Sequence, residues 1–251
     1  SMPIRHQKLS IDYLKKIDRI NKLVDENSKM LDQVANDGIA HYKIERHELR
    51  LASLQNDNFS VIEALCHFQR DWSSFGDVEL SPILSYVKRN LGNIVKQNEG
   101  KKNCVIIPGS GLGRVAHELS ISYPSVHFET VEYSWLMHLC NEFIYKKTPN
   151  LDASSFKIHP FIHSYSNHVS LENQAREIEI KRLESKPGNL VLNQGDFRKF
   201  QLEKYESYDN IIIATVFFVD TAENVFEYLD AMERLIGQKT GYWITMGPLK
   251  Y

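Results

Sequence analysis

The sequence predicts an α/β fold in which a doubly wound parallel sheet follows an N-terminal helical region. Apolar residues recur at helical spacing through the first hundred residues, and strands then alternate with helices from about residue 103 onward. A glycine-rich turn joins the first strand to the helix after it. A chain of 251 residues with 42% apolar side chains suits one large domain with a helical extension. We predict a helical region over residues 1–98 and an α/β domain over residues 99–251.

The N-terminal region is predicted to contain four helices. Apolar positions in residues 11–34 lie one helical turn apart among charged residues, and residues 43–54 resemble a second helix. A capping-box pattern beginning at Ser60 predicts the start of a third helix. Ser81, which precedes a proline, can cap and open a fourth. The polar stretch 97–102 then marks the boundary with the α/β domain.

Five parallel strands are predicted after that boundary. They cover residues 104–108, 126–131, 190–193, 210–218 and 242–246, with helices over residues 114–123, 134–146 and 225–236. Residues 147–188 are too long for a minimal strand–helix connection, so we predict an insertion there.

Composition disfavours several classes of protein. The formal net charge is −2, from 30 basic and 32 acidic residues, whereas a general nucleic-acid binder carries a basic excess. The three cysteines form no CxxC pair, which indicates neither a zinc site nor a disulfide framework. The longest apolar run, residues 211–219, is too short to span a bilayer, and we see no signal peptide. We expect a cytoplasmic or nuclear protein with no membrane partner and no bound metal.

The glycine-rich turn and two acidic residues indicate a nucleoside-containing cofactor. Gly109, Gly111 and Gly113 follow the first strand, where open α/β sheets bind ligands. Glu132 ends the second strand, and a carboxylate there can accept both hydroxyls of a ribose. Asp196 follows the third strand and can reach an adenine amino group, although, taken by itself, it is better explained as a turn or cap residue.

Two cofactor classes fit this arrangement, a dinucleotide and S-adenosylmethionine. The dinucleotide fingerprint is G-x-G-x-x-G, but Arg114 and Val115 follow Gly113 here. The spacing therefore favours the methyl donor S-adenosylmethionine, with S-adenosylhomocysteine as its product.

Several short segments appear in the order known from one enzyme family. They are 70–73 (RDWS), 107–114 (IPGSGLGR), 132–134 (EYS), 159–163 (HPFIH), 166–167 (SN), 195–197 (GDF), 217–222 (FFVDTA) with Asn224, and 247–249 (GPL). Through them the chain resembles the carnosine N-methyltransferase family over about its last 180 residues. The resemblance implies a Rossmann-like methyltransferase fold of the seven-stranded type, S-adenosylmethionine as donor, and an imidazole acceptor, with carnosine converted to anserine. A homodimer is implied by the family alone.

The resemblance also assigns roles to individual residues. It places Arg70 on the donor carboxylate, Gly109 at its methionine portion and Glu132 on its ribose. Asp196 and Phe197 would flank the adenine, and Asp220 would face the acceptor imidazole. The residues predicted to bind the cofactor are His67, Arg70, Gly109, Gly111, Glu132, Asp196, Phe197 and Phe217. Those predicted to bind the substrate are Phe217, Asp220 and Tyr251, and Asp220 is the predicted catalytic residue. The family usually has glutamine at the position of His67.

The family pattern runs on past Tyr251, where its next residue is a histidine of the acceptor site. The fold adds a helix and an antiparallel strand pair there, without which a sheet edge is uncovered. We therefore expect the C-terminal strands to be missing from this chain.

Alternative interpretations remain open at this point. Asp220 could simply cap the next helix. His159 and His163 have a metal-ligand spacing, but Pro160 between them disfavours a regular helix, so we favour a packed insertion. The acceptor could be a histidine in a protein or peptide, and the chain could also be a non-catalytic module that binds the methyl donor.

Overall fold

The computed structural model describes residues 3–45, 47, 58–145, 155–164 and 166–248. The first helix, α1, covers Ile4–Tyr42 and is longer than predicted. It ends because Lys43 adopts a left-handed conformation, with φ of 54°, and donates its N–H to the Ile39 carbonyl. The predicted helix over residues 43–54 lies almost entirely outside the described residues.

Two helix starts differ from the prediction. Helix α2 covers Asn58–Trp72, so Ser60 lies in its first turn, and α3 covers Asp77–Gln97, four residues longer at its start than Ser81 indicated. A 3₁₀ turn over Ser74–Gly76 leads directly into α3. The first turn of α3 carries the carboxylates of Asp77 and Glu79, which interact favourably with the positive end of the helix dipole. Pro82, the sixth residue of α3, has no N–H to donate within the helix.

The central sheet is parallel and doubly wound, as predicted. The strands, in chain order, are β1 (Asn103–Pro108), β2 (His127–Glu132), β3 (Ser155–Ile158), β4 (Ile178–Lys181), β5 (Leu190–Gln194), β6 (Asn210–Val216) and β7 (Thr240–Met246). The remaining helices are α4 (Arg114–Ser122), α5 (Trp135–Tyr145), α6 (Leu171–Gln174) and α7 (Val225–Ile236). The main sheet has the order β5-β2-β1-β6-β7, with every pair parallel. This order is that of a Rossmann-like fold, and it reverses direction between β1 and β6.

Strand β6 stops two residues before the predicted end at Phe218. Phe217 has a φ of 51°, which a strand cannot contain. Its N–H donates to the Met246 carbonyl at 2.8 Å, so the chain turns away while still bonded to the end of β7.

The insertion forms a small sheet of its own that the sequence did not predict. Strands β3 and β4 pair antiparallel, and they pack in one core with helices α1, α2 and α5. Val34, Phe68, Phe143 and Ile180 belong to this core. His159 ties the insertion to α1, because its Nε2 lies 3.0 Å from an Oε of Glu26.

Helices cover both faces of the main sheet. Val87 and Leu91 of α3 pack with Val105 and Ile107 of β1 on one face. The opposite face buries Met232 and other side chains of α7. The N-terminal helices therefore share cores with the α/β part. Among the described residues, we find no helix long and apolar enough to cross a membrane.

Candidate functional site

A cavity of about 720 Å³ opens at the carboxyl ends of the strands, across the switch point between β1 and β6. This volume lies within the range of small-molecule sites. Residues that follow β1, β2, β5 and β6 line it together with part of α2. The predicted cofactor residues His67, Arg70, Gly109, Gly111, Glu132, Asp196, Phe197 and Phe217 all lie in its wall. The fold thus brings together predicted residues that are up to 150 positions apart along the chain.

A smaller cavity of about 220 Å³ shares His67, Arg70, Gly109, Gly111 and Phe217 with the large one. It runs behind the glycine loop, against α3. The hydroxyl oxygen of Ser110 is buried in this region and has no hydrogen-bond partner among the described residues. An unsatisfied buried hydroxyl beside a cavity is a group that a polar ligand atom could satisfy.

The first glycine of the loop has no room for a side chain. Gly109 and Gly111 have φ of 59° and 54°, a conformation that suits glycine. A Cβ on Gly109 would lie 2.4 Å from Cδ2 of Phe218. The loop backbone therefore forms part of the cavity wall directly, and a bound molecule can approach it closely.

Glu132 connects the glycine loop to the end of β2. Its carboxylate accepts N–H groups from Gly111 at 2.8 Å and from Ser134 at 2.9 Å. Only 9% of the residue is exposed, and this burial raises the pKa of the carboxyl group above its ordinary value. Each carboxylate oxygen keeps a further lone pair, so the group can also accept two hydroxyls from the cavity side.

Helix α2 places Arg70 in the wall of the same cavity. The Nε of Arg70 donates to Oδ1 of Asp71 at 2.6 Å, and a terminal nitrogen donates to Oδ2 at 3.2 Å. The same terminal nitrogen lies 3.3 Å from Nδ1 of His67. Burial, followed by the charge of Arg70, lowers the pKa of His67, which favours its neutral form.

The helix is fastened to the glycine loop by two neighbours of Arg70. The indole N–H of Trp72 donates to the Leu112 carbonyl at 2.9 Å. Arg114, the first residue of α4, donates to the backbone carbonyl of Asp71 at 2.8 Å and lies over the Trp72 ring. These bonds explain how a helix outside the sheet domain can place a side chain at the carboxyl end of β1.

Asp196 combines two roles that the sequence left open. Its carboxylate lines the large cavity, and it also caps the 3₁₀ turn Phe197–Lys199 by accepting the Arg198 N–H at 2.9 Å. The guanidinium of Arg198 bridges Asp196 and Glu227, at 2.7 Å and 2.8 Å. The hydrogen bond with Arg198 lowers the pKa of Asp196, so the carboxylate is ionised at neutral pH.

An aromatic group closes one side of the cavity. Phe218 stacks on Tyr228 with ring centres 4.5 Å apart, and Phe197 meets Phe218 edge-on at 5.5 Å. Tyr133, which is 74% exposed, also lines the cavity. Sequence reasoning missed Tyr133, Arg198 and Tyr228. The signal for Tyr133 was its position directly after Glu132, whereas Tyr228 reaches the site only through the packing of α7.

Asp220 lies beside the cavity rather than in its wall. It belongs to the 3₁₀ turn Val219–Thr221, and its neighbours Phe218 and Thr221 line the large cavity, but its own carboxylate does not, in the part of the chain described. The helix-cap interpretation is wrong, because Asn224 caps α7 by accepting the Phe226 N–H at 3.1 Å. The predicted substrate residue Tyr251 lies outside the described residues.

The two histidines with metal-ligand spacing take part in different structures. Nδ1 of His159 lies 3.2 Å from the Ala175 carbonyl, so both of its ring nitrogens have partners in the packed insertion. His163 lines a separate cavity. No group of three metal-ligating side chains occurs within the described ranges.

Comparison with known proteins decides the family. The sequence profile described as carnosine N-methyltransferase matches residues 27–251. The chain belongs to the carnosine N-methyltransferase family. Within that family, the chain is 30% identical to the carnosine N-methyltransferase of Rattus norvegicus over an alignment of 263 positions, which covers 100% of this chain and 64% of the rat protein. It is 29% identical to that of Schizosaccharomyces pombe, over 96% of this chain and 65% of the other.

Other matches extend the comparison. An uncharacterized protein of Saccharomyces cerevisiae is 34% identical over 207 residues, which are 80% of this chain and 44% of that protein. The chain therefore spans less than two thirds of the length of these relatives. Among solved structures, the plantazolicin methyltransferase BpumL, in complex with a triazolic substrate analogue and SAH, matches with a TM-score of 0.41 and 12% identity, over 74% of this chain and 53% of that one.

Proposed function

We propose that the chain is an S-adenosylmethionine-dependent N-methyltransferase that methylates the imidazole of carnosine, giving anserine, or of a related histidine-containing dipeptide. The observation that carries the proposal is the convergence of Arg70, the glycine loop, Glu132 and Asp196 on one cavity at the switch point of the sheet. Membership of the carnosine N-methyltransferase family supports the choice of acceptor.

The residues of the cavity fit the methyl donor. Arg70 can hold the methionine carboxylate, and the orphaned hydroxyl of Ser110 lies in the same region. Glu132 has the free lone pairs that a ribose diol requires. Asp196 and the ring of Phe197 stand at the far end of the cavity, where an adenine would bind. The cavity therefore offers an ionic partner, a hydroxyl acceptor and an aromatic wall to the three parts of the donor.

When bound, the donor supplies a methyl group already activated by a positively charged sulfur. The protein then has mainly to position an unprotonated imidazole nitrogen in line with that methyl group, which can be worth roughly 7–11 kcal/mol in favourable systems. Imidazole is largely neutral at cellular pH, so no strong base is required.

We assign Asp220 to the orientation of the acceptor. Its carboxylate would accept the N–H of one imidazole nitrogen, which leaves the lone pair of the other free as the nucleophile. The negative charge would also stabilise the imidazolium as it forms. Phe217, 51% exposed at the cavity mouth, supplies an apolar surface against which the ring can lie. This assignment requires the turn Val219–Thr221 to present Asp220 to the cavity when an acceptor binds.

Calorimetry and an acceptor panel test the proposal. S-adenosylhomocysteine should bind, and NAD should not bind appreciably, because the loop lacks the dinucleotide spacing. With labelled donor, transfer should be faster to carnosine than to free histidine or to a peptide with an internal histidine. Preferred transfer to the peptide would instead support a protein-histidine methyltransferase. Donor binding without transfer to any imidazole would favour a non-catalytic module.

The family resemblance also leads us to propose a homodimer and a cytoplasmic or nuclear location. Sedimentation of the chain, and the distribution of a tagged copy in cells, would test these two points.

A further inference from the structure

A third cavity, of about 420 Å³, lies in the insertion and has no part in the proposed methyl-donor site. Cys66 of α2 contributes to its wall, and the adjacent residue His67 lines the donor cavity, so the two cavities lie on neighbouring sides of α2. Its wall includes Phe161, His163, Ser166 and Asn167. These residues belong to the 159–163 and 166–167 segments, for which the donor cavity provides no role.

Within the described residues, Arg176 supplies the formal positive charge in the wall of this cavity. Arg176, His163 and His168 line it, together with hydroxyl and amide side chains, and no carboxylate does so in the part of the chain described. The carboxylates next to Arg176 in sequence are engaged elsewhere. Glu172 pairs with Arg19 at 3.7 Å, and Glu177 pairs with Lys157 at 2.9 Å.

Two aromatic rings flank Arg176, and no ion pair of its guanidinium occurs among the described residues. Its guanidinium carbon lies 3.9 Å from the ring centre of Phe161 and 5.9 Å from that of Phe75. Its Nε is buried and has no hydrogen-bond partner among the described residues. Leaving such a donor unsatisfied is costly, and a guanidinium fixed by aromatic stacking presents its planar fork in one orientation. That fork matches the two oxygens of a carboxylate or a phosphate.

We propose that this cavity, termed the Arg176 cavity, is an oxyanion-binding site that accepts a carboxylate or phosphate group. Arg176 would supply the paired N–H donors, and the imidazole and hydroxyl groups of His163 and Ser166 would complete the set. The anion could be the carboxylate of the acceptor itself or a separate phosphate-type ligand. The site stands independently of the proposed methyl transfer, because anion binding here requires neither donor nor turnover.

Titration of the whole chain with inorganic phosphate and with acetate, followed in ¹⁵N–¹H spectra of the arginine side chains, tests the site. The Nε–H signal that disappears in Arg176→Met identifies the group. We expect this signal to shift and saturate with phosphate in the wild type. Calorimetry of both proteins should show phosphate binding about tenfold or more weaker in the variant. Arg89→Met is the matched control, because Arg89 also lies over a ring, that of Tyr86 at 5.9 Å, but outside the cavity. The control should bind phosphate normally.

Two competition experiments identify the source of the anion. Of the experiments on this cavity, only these two rest on the proposed function. Displacement of phosphate by carnosine, but not by its decarboxylated analogue β-alanylhistamine, would assign the site to the acceptor carboxylate. Failure of carnosine to displace phosphate would assign it to a separate anion, and both results uphold the site. An Nε–H signal of Arg176 that moves with neither phosphate nor acetate overturns the proposal. Wild-type phosphate affinity in a folded Arg176→Met protein does so as well.

Discussion

Removal of the Arg70 guanidinium tests whether the N-terminal helices form part of the donor site. In Arg70→Ala, the donor carboxylate would lose a charge-assisted hydrogen bond worth about 1.5–3 kcal/mol, which corresponds to roughly 10- to 150-fold weaker binding of S-adenosylhomocysteine. The same change removes the ion-pair partner of Asp71, whose side chain is only 4% exposed. Breaking a buried pair costs about 3–5 kcal/mol, but the Arg70 side chain is 35% exposed, so we expect a loss of about 1–3 kcal/mol of folding stability.

The two effects can be separated experimentally. Urea unfolding gives the stability of each variant, and calorimetry gives its donor affinity. Adding Asp71→Asn to Arg70→Ala removes the unpaired buried charge, so it should restore part of the stability without restoring donor binding. Arg89→Ala, which changes an exposed arginine far from the cavity, should alter neither quantity. Unchanged donor affinity in a folded Arg70→Ala protein would refute the placement of Arg70 on the donor.

Three further changes probe the other walls of the cavity. Glu132→Gln should weaken donor binding by about 1.5–3 kcal/mol in calorimetry. In the wild type, donor affinity should fall as the pH is lowered, because protonation of Glu132 removes a hydrogen-bond acceptor. The fall should begin at a pH above the ordinary titration range of glutamate, since burial raises the pKa of this carboxyl group. Gly109→Ala should lower the urea midpoint and donor affinity because its Cβ would meet Phe218, whereas Gly100→Ala, at similar positive φ with nothing within 4 Å, should spare donor affinity. Asp220→Asn should lower turnover on carnosine at least tenfold with donor affinity intact; normal turnover would contradict its role.

The sequence predicted the α/β part well where local patterns control the structure. Predicted and observed ends agree for α7, at Val225 and Ile236, because its apolar periodicity is regular and Gly237 follows it. The glycine loop and Glu132 were also recognised, since the turn and the strand end are both local features. The parallel, doubly wound arrangement of the strands followed from their alternation with helices.

The errors arise where distant parts of the chain determine the local structure. Helix α3 begins at Asp77 because Gly76 packs directly against the Arg70 carbonyl, where a Cβ would lie 1.6 Å from the oxygen. A cap signal at Ser81 cannot reveal that contact. Strand β6 ends at Val216 because Phe217 has a φ of 51°, although its N–H still bonds to the Met246 carbonyl of the neighbouring strand. The apolar run through Phe218 hides this turn.

The functional residues that sequence reasoning missed share the same cause. Arg198 and Tyr228 lie in the cavity wall because α7 packs beside the turn after β5, and no motif connects them. The Arg176 cavity forms because the insertion packs against α2. The sequence indicated only that residues 147–188 were too long for a simple connection.

One measurement tests the central claim most directly. The chain is incubated with carnosine and S-adenosylmethionine that carries ¹³C in its transferable methyl group, and the product is observed by NMR. The account predicts a new ¹³C methyl signal on an imidazole nitrogen of the dipeptide, with loss of that signal in Glu132→Gln at subsaturating donor. A labelled methyl group on the amine of the β-alanyl portion, or no transfer by a protein that binds the donor, would contradict it.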